Sequence, residues 1–254
     1  MSGFSTFLGK EFTEIRKTWR IWVIPGMLLF FAITSPIIAD VTPALMASIS
    51  KSQPGVVVKM PPPTWRDSYA QFLKSLSQMV LIAVVITGAG AVSGERSSGT
   101  AVLTLTKPVS RGAFVLAKIV SQAGLLIAAT VVSTAVCAVL TVVIFGPSPL
   151  GPLVMSVSIW TIDALLMIVV MTLFSAGFAA RGASAGAGLG FFFLTLLISI
   201  WPPANKYSFV GLPSVSGRAL MQQPTGALWP VVTALIAGVL CAWGAVRVFE
   251  KQEL

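Results

Sequence analysis

Glu95, Arg96, Gly99 and Thr100, followed by Lys107, Pro108, Arg111 and Lys118, gather charges and turn-forming residues into a short polar interval, residues 94–118, between two long apolar stretches. The chemistry open to such a set is docking: charges at a membrane edge make charge-assisted contacts with another protein, or cap helices and anchor headgroups. Asp163 is the second candidate, a lone carboxylate in the apolar stretch 153–180. A carboxylate near mid-membrane is costly, so it either faces a protein interior, a watery pathway or a dimer interface as a functional group, or bonds Ser and Thr hydroxyls on a neighbouring helix. The residues alone leave both open. Other chemistry is thinly supplied. The 254 residues include no His, which removes the commonest proton shuttle and metal ligand. Cys137 and Cys241 lie inside apolar stretches without metal or redox spacing and read as packing residues. An intramembrane enzyme would need converging nucleophile, base or metal ligands, and a chain with one buried acid offers no such set.

These residues must be positioned by membrane-spanning helices. The chain is 56% apolar and only 10% charged, against about 25% charged in soluble domains. About 20 apolar residues cross the hydrocarbon as a helix, which satisfies every backbone polar group internally. The expected architecture is an all-α integral membrane protein of one transmembrane domain, 1–254, with spans at 21–39, 69–93, 119–145, 153–180, 182–201 and 228–249. The third and fourth are separated only by Gly146-Pro147-Ser148-Pro149-Leu150-Gly151-Pro152, a Gly/Pro reversal.

Charge sets the orientation. With the N-terminus inside, Lys10, Arg16, Lys17, Arg20, Arg96, Lys107, Arg111, Lys118, Arg181, Arg247 and Lys251 are cytoplasmic, eleven of the 17 basic residues. The positive-inside rule selects that topology, with both termini in the cytoplasm and residues 94–118 as a cytoplasmic loop. The net charge of +9 is spread between spans without an aromatic and cationic stripe, which argues for anionic lipid headgroups and against nucleic acid as the partner.

Before the first span, Phe4, Phe7, Leu8, Phe12, Ile15 and Trp19 recur every three or four residues opposite Lys10, Glu14 and Lys17, so 1–20 reads as an amphipathic interfacial helix. Residues 40–68 carry Pro43, Pro54, Pro61, Pro62 and Pro63 and read as a solvated external connector, too Pro-rich for one long helix but with room for a short one at 42–52. Arg181 to Gly190, RGASAGAGLG, is rich in small residues that permit close helix approach, either within one subunit or across a dimer. Gly88, Gly90 and Gly94 carry the same meaning. The interval 202–227 is too polar for a span and too apolar for an ordinary loop, with Trp201 and Trp229 flanking it as interfacial anchors would.

The Glu-Arg, Gly-Thr and Pro-Val-Ser-Arg pattern of Glu95-Arg96, Gly99-Thr100 and Pro108-Val109-Ser110-Arg111 resembles the loop after the second span in permease subunits of ATP-binding cassette type-2 transporters. The resemblance extends over nearly the whole chain: interfacial helix, six spans, basic loop and a bent outer segment before the sixth span. It implies a type-2 exporter-like fold, with 202–227 re-entrant from outside and 94–118 seated in a groove of a separate ATP-binding subunit. By the same resemblance Glu95, Arg96, Gly99, Thr100, Lys107, Pro108 and Arg111 are the coupling residues and a second permease copy completes the assembly. ATP and Mg belong to the partner, because no GxxxxGK followed by Ser or Thr occurs here and the chain itself calls for no cofactor. Rival readings are an ATP-independent secondary carrier and a membrane scaffold. The carrier is disfavoured because Asp163 stands alone and the loop after the fourth span does not repeat the one after the second.

Overall fold

The computed structural model describes residues 9, 20–52, 61–94 and 111–251. Among them, six helices are long and apolar enough to cross a membrane, and no strand occurs. The chain is a multi-pass, all-helical membrane protein.

The first span lies in α1 (Arg20–Ser52), which is continuous through Pro25, Pro36 and Pro43. It runs on past residue 39 into the interval expected as a connector. Proline removes one backbone donor, and transmembrane helices tolerate that loss. The second span comprises α2 (Trp65–Ser75), a π-helical turn (Leu76–Val80) and α3 (Leu81–Gly88). Its start is fixed by a capping box in which the Thr64 backbone N–H donates to the Asp67 carboxylate at 2.8 Å. The third span lies in α4 (Arg111–Phe145), the fourth in α5 (Leu150–Gly177), the fifth in α6 (Arg181–Ser199). Two short helices, α7 (Pro202–Tyr207) and α8 (Leu212–Leu220), precede the sixth span in α9 (Leu228–Glu250).

The fourth span is the hub. α5 packs against α9, α8, α4, α3 and α6, while α1 lies along α4 and α2. Between residues 159 and 170 its buried apolar side chains divide between two cores. Trp160, Ala164, Met167 and Ile168 join Leu76, Val80, Leu81 and Val84 of the second span, together with Leu28 of the first and Leu126 of the third. Ile159, Leu166 and Val170 join Leu212, Val215 and Ala219 of α8 and Ala234 of the sixth span. The α8 helix is seated by the Ser216 hydroxyl, which donates to the Ser156 carbonyl at 2.6 Å. At the end of the bundle where the third and fourth spans turn, Ser68 and Thr141 share a buried hydroxyl contact of 2.7 Å, and the Tyr69 hydroxyl meets that of Ser148 at 3.1 Å.

Small residues bring the second and fifth spans onto the fourth. A Cβ added at Gly88 would lie 2.9 Å from Met171 Cβ, and one added at Gly188 would run into the Met171 thioether. Gly182, Gly186 and Gly190 have open space before them instead. The glycines of the fifth span therefore serve two faces, one turned into this subunit and one turned out of it.

Candidate functional site

Asp163 sits midway along α5, thirteen residues past the helix start at Leu150, and is 5% exposed. On a helix of 3.6 residues per turn it falls between the face carrying Trp160 and Met167 and the face carrying Ile159, Leu166 and Val170. It thus points to the seam between the two cores rather than to lipid. Among the described residues it makes no hydrogen bond or ion pair, so none of the nearby hydroxyls performs the interhelix bonding that one reading of the sequence allowed. One turn earlier, the Trp160 indole N–H is buried without an acceptor among the described residues. A carboxylate and an N–H donor left unsatisfied side by side in a packed helix cost stability. Such groups persist where a ligand, a proton or a change of shape uses them.

The second span carries a π-helical turn, Leu76–Val80, whose Leu76 and Val80 belong to the same extended core as Trp160 and Ala164. A π turn inserts one residue into the α ladder and marks places where a helix is built for a local need.

The interval expected as a coupling loop is only partly within the described residues. Glu95, Arg96, Gly99, Thr100, Lys107 and Pro108 lie outside them, as does the amphipathic helix of 1–20 apart from Gly9 and Arg20. Arg111 is described, and it is the first residue of α4 rather than part of a loop. Its guanidinium donates to the Glu250 carbonyl at 2.9 Å and to that of Phe249 at 3.5 Å. A cation there answers the last carbonyls and the negative dipole end of α9. Phe114 stacks on Phe249 at 5.2 Å, and buried Lys118 places its ammonium 5.0 Å from the Phe114 ring. The exit of the interval is thus bolted to the end of the sixth span.

Its entry is held as well, chiefly by Ser175, which sequence reading did not single out. Beyond α3 the backbone leaves the helix at 89–92 while staying buried. The Ser175 hydroxyl of the fourth span accepts from the Val92 N–H at 2.9 Å and the Ser93 N–H at 3.0 Å, and donates to the Ala89 carbonyl at 2.8 Å. Arg181, the first residue of the fifth span, donates to the Gly94 carbonyl at 3.3 Å. Gly88-Ala89-Gly90 was the one available sequence signal, since consecutive small residues weaken a helix.

A separate groove of about 890 Å³ runs between α4 and α5, lined by Thr130, Thr134, Val139, Leu153, Val157 and Thr161 among others, and Asp163 does not line it. Cys137 is buried and Cys241 half-buried; both are free and belong to different cores.

The comparisons agree with this architecture. The chain is similar to an uncharacterized transmembrane protein, YxlG, of Bacillus subtilis (strain 168), at 18% identity over 256 residues that cover 100% of this chain and 99% of the relative. The sequence profile of the ABC-2 family transporter protein matches residues 6–206. Six spans wound around a buried carboxylate, in a chain matched by that profile over most of its length, make this protein a member of the ABC-2 transporter family.

Proposed function

We propose that the chain is the permease subunit of an ATP-driven exporter, working as a dimer and powered by a separate ATP-binding subunit. The observation that carries the reading is a transporter-family chain that has no phosphate-binding loop of its own. ATP and Mg bind in the partner, which also carries the hydrolysis; this chain is not an enzyme. The positive-inside count supports a cytoplasmic side for both termini and residues 94–118, where the motor sits and where anionic headgroups of a bacterial cell membrane meet the basic residues. Glu95, Arg96, Gly99, Thr100, Lys107 and Pro108 supply the docking surface. Arg111 contributes by fixing the exit of that segment to the sixth span.

ATP draws the two motor subunits together, and their displacement reaches the spans through rigid elements, changing which side of the pathway is open. Asp163 is the group within the membrane that the pathway uses, by its charge or its proton. Purification from the native membrane in mild detergent should recover an ATP-binding subunit with this chain, identified by mass spectrometry. Recovery without one, together with transport by liposomes lacking ATP, would overturn the reading in favour of a secondary carrier.

The dimer rests on the outward face of the fifth span. Gly182, Gly186 and Gly190 recur every fourth residue with nothing within 4 Å of a Cβ built on them, and Phe193, Leu197 and Ile200 continue along exposed apolar surface. That spacing lets two helices approach backbone to backbone. Gly186→Leu should weaken self-association about tenfold or more, a loss of about 1.4 kcal/mol, with insertion unchanged. Subunit counting by single-molecule photobleaching in liposomes checks it, and an undiminished dimer fraction places the interface elsewhere.

A further inference from the structure

Two neighbouring N–H groups, those of Val92 and Ser93, emerge where the second span leaves its helix and have lost the carbonyls they would meet in an unbroken α-helix. The Gly88 carbonyl is taken by the Ala91 N–H at 3.0 Å, and the Ala89 carbonyl by the hydroxyls of Ser175 and Ser93 at 2.8 and 2.9 Å. Ser175 replaces both acceptors at once. A hydroxyl has one donor and two acceptor lone pairs, and here all are occupied: two N–H groups accepted, one carbonyl bonded. Val92, Ser93 and Ser175 are 0% exposed and Ala89 3%, so water cannot take over any of these bonds. Arg181 adds a second hold one residue later, at the Gly94 carbonyl.

We infer that Ser175 is a positioning residue: its hydroxyl fastens the unwound end of the second span to the fourth, so that a displacement of residues 95–110 is passed to the helix that carries Asp163. Ser175 and Asp163 are twelve residues apart on one uninterrupted helix, α5, a distance of about 18 Å at 1.5 Å per residue. A rigid rod fixed at Ser175 moves at Asp163 as well. The break at 89–92 interrupts the helix of the second span, and the hydroxyl ties that break to the fourth span. The transmission rests on the exporter reading above; the latch itself does not.

The test is amide hydrogen exchange on the full chain with its co-purified partner in lipid nanodiscs, with and without ATP and Mg. Ser175→Thr and Ser175→Val have the same shape and differ in the hydroxyl, so their comparison removes packing effects; Ser175→Ala adds a variant that cannot overpack. Exchange at Val92 and Ser93 is expected to be at least tenfold faster in the Val and Ala variants than in the Thr variant and the native chain. ATP is expected to alter exchange around 159–167 in the native and Thr proteins and to leave it unaltered in the Val and Ala proteins, while ATP hydrolysis persists in all four. Equal exchange at Val92 and Ser93 in the Thr and Val variants would overturn the latch. Faster exchange there with an intact ATP response at 159–167 would overturn the transmission. A native protein that has no ATPase partner and no ATP response anywhere would instead overturn the exporter reading and the transmission with it, leaving the latch to be decided by the amides alone.

Discussion

Replacing Asp163 with Leu is expected to give a protein that inserts, assembles and resists heat at least as well as the native chain, and that has lost its ATP-driven activity. The carboxylate is buried without a hydrogen bond or ion pair among the described residues, so it pays for burial and gets nothing back from its neighbours. An unsatisfied buried polar group costs about 1–3 kcal/mol, and an apolar side chain of similar size relieves that cost. Thermal unfolding in one detergent, followed by tryptophan fluorescence, should show the midpoint unchanged or raised. Asp163→Asn should likewise assemble, since it keeps the shape, but should lack the ATP-driven response because it lacks the charge and the exchangeable acid. The position is also open to direct probing. With Cys137 and Cys241 both replaced by Ala, Asp163→Cys should react with a small aqueous thiol reagent to an extent that changes when ATP and Mg are added. No labelling in any nucleotide state, with normal function of the Asn variant, would remove Asp163 from the pathway; a Leu variant that fails to assemble would restore the structural reading.

That the fold is an all-helical six-span bundle was readable from composition, because lipid leaves the backbone few alternatives. Helix ends were harder, and the reason is specific. Charged residues mark where the bilayer ends, whereas a helix ends where its hydrogen bonds end. Arg111 and Lys118 lie on α4, at its first residue and two turns in, because the helix extends beyond the apolar stretch. Trp65 to Lys74 are helical despite Arg66 and Asp67, since Asp67 is the capping acid of that very helix. Proline misled in the same direction at Pro43, where α1 simply continues. In the other direction, the second span looked apolar and unbroken up to Ser93, yet its helix stops at Gly88.

Asp163 was legible because a single charge in a long apolar stretch stands out by type alone. Ser175 was not. Serine in a transmembrane helix most often bonds its own helix three or four residues back, as Ser156 and Ser158 do here to Leu153 and Val154. What distinguishes Ser175 is a partner more than eighty positions away in the chain, and residue types along a single sequence carry no sign of it. Arg111 shows the converse. Its type was read as docking or positive-inside retention, while its geometry adds an intramolecular bond to the end of the sixth span that only the folded chain reveals.

Gly88→Ala is expected to destabilise the bundle more than Gly188→Ala, although both add one methyl against the same residue, Met171. The difference lies in which part of Met171 is met. At Gly188 the new Cβ would strike the thioether end, a flexible tip that can turn aside, with Val85 Cγ1 at 3.0 Å as the remaining constraint. At Gly88 it would come within 2.9 Å of Met171 Cβ, an atom fixed by the fourth helix itself, so the second and fourth spans must separate. Overpacking of that kind costs about 1–3 kcal/mol, against a gain of up to about 1 kcal/mol from the better helix propensity of Ala. The net loss should appear as a lowered unfolding midpoint for Gly88→Ala and a small change of either sign for Gly188→Ala. A second substitution separates the two cases further. Met171→Ala removes the thioether but keeps Cβ, so it should relieve the clash in Gly188→Ala and leave that in Gly88→Ala; Met171→Gly should relieve both. Equal rescue of the two glycine variants by Met171→Ala would show that the second and fourth spans are not in the close contact on which the Ser175 latch also depends.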